Sequence, residues 1–160
     1  MTRTLVLLRH AKSAWPPETP DVARPLAGRG RQDAPAVGRW LREQVPRIDL
    51  VVCSSAVRAS QTWSLAAAQL AVIPPVRHDD WLYDASAEDL VKVTQELPPE
   101  ASVAVLVGHN PGLENILTLL TGATEALRTA AIAVITTPGG WEPVHCGSWT
   151  LENLATPRGP

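Results

Sequence analysis

The stretch "LVLLRHAKSAW", Leu5 to Trp15, decides how the chain folds. Four apolar residues run without alternation and stop at Arg9 and His10. An unbroken apolar run reads as a strand covered on both faces, as in a parallel sheet flanked by helices. A core strand that ends on a guanidinium and an imidazole calls for a ligand that wants both. Further apolar runs follow at Leu50 to Cys53, Val103 to Val107 and Ile132 to Thr136. Weaker ones lie near Val76 and at Ser148 to Leu151.

Helical patterns fall between these runs. Ala34, Val37, Gly38, Leu41 and Val45 share one helical face, a pattern that Pro35 suits only in a first turn. Ala59, Trp63, Ala66, Ala67 and Leu70 share a second face. Ser86 and Asp89 have the spacing of a capping box. Asn110 is expected to cap a fourth helix with Pro111 at its first position, the stripe Leu113, Ile116, Leu117 and Leu120, and a stop at Gly122. Strand and helix alternate, which predicts a three-layer α/β/α sandwich around a mostly parallel sheet. In such sheets ligands bind beyond the carboxyl ends of the strands.

The 160 residues, 45% hydrophobic and 19% charged, fit one globular domain over residues 1–155, with 156–160 as a flexible tail. A net charge of -2 gives no electrostatic case for nucleic acid or an anionic membrane. The first apolar run is too short for a signal or a membrane span, so a cytoplasmic location is the default. Cys53 and Cys146 fit no zinc spacing and read as reduced thiols, Cys53 within a strand. With no heptads or interface stripe, a monomer is the default.

The strand ends carry the chemistry. Arg9 and His10 close the first strand. "SSAVRASQT" after the second puts Arg58 near a helix start. "GHNPG" after "VAVLV" puts His109 just before another. Two arginines, two histidines and a helix N-terminus on one edge all favour an oxyanion. Neighbouring cations disfavour imidazolium, so His10 is expected to stay neutral and able to attack phosphorus. No metal or cofactor is called for. Lys12 and Ser13 follow the pair as a possible steering charge and phosphate donor. His78 and His145 have no motif around them.

These residues resemble the histidine phosphatase superfamily, whose fold is phosphoglycerate mutase-like, and within it the SixA-type phosphohistidine phosphatases. The carrying stretches are "LLRHAKSAW", "RPLAGRGRQDA" from Arg24, "SSAVRASQT" from Ser54, "LYDAS" from Leu82 and "VLVGHNPGLE" from Val105. The resemblance implies that His10 is the phosphorylated nucleophile and that Arg9, Arg58 and His109 complete the phosphate pocket. Ala11 replaces the glycine usual after the histidine, and Ser55 a usual proline. For the acid that protonates a leaving group, "HDDWLYDASAED" offers Asp79, Asp80 and Asp84 without choosing among them. The chain between Arg58 and Val103 is short, so the cap over the site is expected to be minimal. The implied substrate is a phosphohistidine protein. A small phosphorylated metabolite and a non-catalytic phosphate-binding module stay open as alternatives.

Overall fold

The structure, a computed structural model, describes residues 1–160. In chain order it contains β1 (Thr2–Arg9), α1 (Gly28–Gln44), β2 (Leu50–Ser54), α2 (Val57–Ala67) and β3 (Val76–Asp79). There follow α3 (Ala87–Gln95), β4 (Val103–Gly108), α4 (Gly112–Thr121), β5 (Ile132–Pro138) and β6 (Thr150–Ala155). The six strands form one sheet in the order β3-β2-β4-β1-β5-β6. The neighbours β3, β2, β4 and β1 are parallel, whereas β5 is antiparallel to both β1 and β6.

The unbroken apolar run of β1 follows from its place inside the sandwich. Side chains alternate across a strand. Leu5 and Leu7 therefore join the core under α3 and α4, with Leu90, Leu113, Ile116 and Leu117. Val6 and Leu8 join the opposite core under α1 and α2, with Val37, Leu41, Ala59 and Trp63. All four β1 residues are fully buried. The β1–β4 register pairs Arg9 with Gly108, so both strands stop at the same height. This brings the segment after each strand to one edge.

Local signals hold with two shifts. Ser86 Oγ accepts from Asp89 N at 3.1 Å and Asp89 Oδ2 from Ser86 N at 3.0 Å, a complete capping box. Gly122 ends α4 in the left-handed conformation at φ 78°. Asn110 does not cap α4, which begins at Gly112. Its Nδ2 donates instead to Leu127 O at 2.8 Å, tying the helix approach to the α4–β5 loop. Pro35 lies well inside α1 rather than in its first turn. The helix persists around it because Ala34, Val37 and Leu41 are fully buried against the sheet.

Within residues 156–160, Arg158 Nη1 donates to Asp33 Oδ2 at 3.2 Å and to Thr129 O at 3.0 Å, and Gly159 N donates to Asp33 Oδ1 at 3.0 Å. Asp33 is almost wholly buried, so its carboxylate needs such partners.

Candidate active site

The end of β1 is held on both sides. His10 N donates to Gly108 O at 3.1 Å, and Ala130 N donates to His10 O at 3.0 Å. Ala11 N donates to Thr62 Oγ1 at 2.9 Å, and that hydroxyl donates to Arg58 O at 2.7 Å. One threonine of α2 thus fixes the backbone beside His10 and the first turn that carries Arg58.

His10 is 7% exposed. Its Nδ1 lies 2.8 Å from Ala11 O. A carbonyl only accepts, which assigns the proton to Nδ1 and leaves the lone pair on Nε2. Burial, then the charges of His109, Arg58 and Arg9, push the ring's pKa down to about 3, against the raising effect of the Ala11 carbonyl. The ring is therefore neutral near pH 7. His109 stands with its ring centroid 5.1 Å away and its Nε2 2.8 Å from Ser54 Oγ. Burial and the charge of Arg58 bring its pKa down to about 4.

The arginines are anchored and still have donors to spare. Arg58 gives Nη1 to Asp21 O at 2.7 Å and Nη2 to Asp21 Oδ2 at 3.1 Å. A guanidinium has five N–H groups, so three remain. Arg9 gives Nη1 to Leu127 O at 3.0 Å. Glu114 Oε2 accepts Leu127 N at 2.7 Å, so this loop residue is fixed from both sides.

Arg9, His10, Arg58, His109 and Ser13 line one open cavity of about 270 Å³, with Lys12, Trp15 and Arg24 around it. Ser13 Oγ accepts Arg24 Nη2 at 2.5 Å. None of the ten lining residues is Asp or Glu. No group of three or more His, Cys, Asp or Glu side chains is placed to hold a metal ion.

The carboxylates left open as acids lie elsewhere. Asp79 Oδ1 accepts Trp81 N at 2.9 Å and caps a short turn. Asp80 belongs to that turn. Asp84 faces a separate groove between α3 and α4. His78 pairs through Nε2 with Ser60 Oγ at 3.1 Å, outside the cavity wall.

A model of the histidine phosphatase superfamily, branch 1, matches residues 5–104. The chain belongs to that superfamily. Among curated proteins, the uncharacterized protein Rv1276c of Mycobacterium tuberculosis is 33% identical, over 94% of this chain and 100% of its own length. Among solved structures, one assigned to the phosphohistidine phosphatase SixA of Nakamurella multipartita superposes with a TM-score of 0.88 at 29% identity, covering 98% of this chain and 97% of that one. A second, assigned to SixA of Agrobacterium tumefaciens, gives 0.83 at 26% identity, over 97% and 98%. This histidine phosphatase is thus of the SixA type.

Some residues at the site were not singled out in the sequence. Asp21 is the chief one. Its Oδ2 accepts from Arg58 and from Tyr83 OH, the latter at 2.6 Å, and its Oδ1 from Arg24 Nη1 at 2.9 Å. Hydrogen bonds from Tyr83, Arg24 and Arg58 hold its carboxyl well below the usual range. Asp21 is therefore a fixed anion and cannot donate a proton near neutral pH. The available signal was its place three residues before Arg24 of "RPL". Ser54 and Thr62 flank Arg58 in "SSAVRASQT", but as ordinary hydroxyls they carried no mark.

Proposed function

We propose that this histidine phosphatase removes the phosphoryl group from phosphohistidine displayed on a protein. The observation that carries the reading is a cationic cavity that holds His10 with its Nδ1 engaged by Ala11 O, and that has no Asp or Glu in its wall. His10 Nε2 attacks phosphorus and forms an N–P bond while the bond to the leaving group breaks. Arg9 and Arg58 neutralise charge on the phosphoryl oxygens, and His109 contacts the same group. Water then attacks phosphorus, the N–P bond to His10 breaks and inorganic phosphate leaves.

The absence of a carboxylic acid from the cavity wall favours the phosphoramidate. An alkoxide leaving group needs a proton from the enzyme, whereas an imidazole protonated on its other nitrogen departs neutral. The cavity is open to solvent, which leaves room for a side chain presented on another protein. Charge stabilisation by guanidinium groups makes the reaction independent of a divalent metal.

Turnover of a phosphohistidine protein, p-nitrophenyl phosphate and a panel of phosphorylated metabolites, each with and without EDTA, tests this. Phosphohistidine should be the preferred substrate, EDTA should not matter, and His10→Ala should abolish turnover. Activity surviving in His10→Ala would sink the mechanism. Activity confined to a metabolite would sink the substrate assignment, and phosphate binding without turnover would make the chain a binding module.

A further inference from the structure

Trp15 is the one large aromatic side chain in the cavity wall, and it is 76% exposed. Its indole is nevertheless held in place. The Arg24 guanidinium lies over the ring with its carbon 3.2 Å from the ring centroid. Arg24 is 7% exposed and fixed by three acceptors: Ala14 O at 3.1 Å, Asp21 Oδ1 at 2.9 Å and Ser13 Oγ at 2.5 Å. The backbone leading to Trp15 is clamped as well, since Ala14 N donates to Pro25 O at 2.8 Å and Ala27 N to Lys12 O at 2.9 Å. A cation covers one face of the indole, and the exposure of the side chain leaves the other open.

The direction of attack gives that open face a use. In-line displacement puts the leaving atom on the far side of phosphorus from the nucleophile. His10 is buried at the floor, so the leaving group points outward, to the rim where Trp15 stands. We propose that Trp15 is a specificity-determining residue whose exposed face stacks on a planar leaving group, the imidazole ring of the phosphorylated histidine. The inference rests on the phosphohistidine reading and deepens it. A ring is favoured there by stacking on the open indole face. A phosphoryl group on a small acyclic nitrogen gains nothing from this surface.

Two substrates with the same P–N bond isolate the effect: N-phosphoimidazole, which carries the ring, and phosphoramidate, which does not. The readout is the ratio of kcat/KM for the first over the second. Trp15→Ala should lower that ratio by roughly three- to tenfold, mostly through KM, since stacking serves the bound substrate and the transition state alike. Trp15→Phe should keep most of it. The high exposure of Trp15 makes loss of the fold no explanation for a change. An unchanged ratio in Trp15→Ala, with N-phosphoimidazole still hydrolysed by the wild type, overturns the stacking role alone. Failure of the wild type to hydrolyse N-phosphoimidazole overturns the phosphohistidine reading and the stacking role with it.

Discussion

His10 and His109 share a cavity but are held differently, and the difference separates their roles. The carbonyl of Ala11 occupies Nδ1 of His10 and leaves Nε2 free, whereas Ser54 occupies Nε2 of His109. Arg58 depends in turn on Asp21, which takes two of its N–H groups through a backbone and a side-chain oxygen. Arg58→Ala should cost about 2.7–4 kcal/mol of transition-state stabilisation, by analogy with other oxyanion donors. Asp21→Asn should cost less, because the backbone contact survives. Its loss should fall on kcat and also lower the thermal midpoint, because the variant removes the anion that Tyr83, Arg24 and Arg58 share. Steady-state kinetics beside a melting curve checks both, and a full-strength kcat in Asp21→Asn would remove Asp21 from the positioning of Arg58. Arg9, His10 and His109 were legible because each directly follows a strand-like run, and Arg58 because it opens the helix after another. Asp21 was not, because it meets Arg58 across 37 residues from within a proline-rich loop, where a carboxylate looks like any solvated charge.

At the scale of elements, the loop after His10 is shaped by a helix that comes very close. A Cβ on Gly30, in the first turn of α1, would lie 2.1 Å from Lys12 O. Only a residue without a side chain lets α1 approach this loop, and Ala27 N donates to the same carbonyl. Gly30→Ala should therefore destabilise the fold by about 1–3 kcal/mol, as overpacking does, despite the better helix propensity of alanine. Because the displaced backbone, at Lys12, lies two residues after His10, kcat/KM should fall as well. Denaturant unfolding with an activity assay checks both, and a stabilised Gly30→Ala would show that the two segments are not in contact. Strands and helices were readable here because buried apolar runs and helical faces are local patterns. The shifts at Pro35 and Asn110 arise from tertiary contacts that local patterns do not encode: burial of one face holds α1 through a proline, and Leu127 O claims the amide expected at the α4 cap.

At the scale of the whole molecule, the site sets how stability responds to pH. His10 and His109 have folded pKa values of about 3 and about 4, against about 6.5 in an unfolded chain. Between those limits the unfolded chain binds protons that the folded chain refuses. Stability therefore rises with pH across this window, is complete above about pH 6.5, and is lost as pH falls towards 4. Each histidine contributes a slope of up to about 1.4 kcal/mol per pH unit inside the window. The lowered carboxyls Asp21, Asp33 and Asp49 act in the same direction, but only below the ordinary carboxylate range. The interval from pH 4.5 to 6 thus isolates the two site histidines. Unfolding free energies measured across it should climb steeply in the wild type and with about half that slope in His10→Asn, which keeps a polar side chain but cannot titrate. Equal slopes in the two proteins would mean that His10 takes up its proton in the folded state as readily as in the unfolded one. The cavity would then hold its nucleophile protonated below about pH 6.5, and the mechanism built on a neutral His10 would lose its acid-side range.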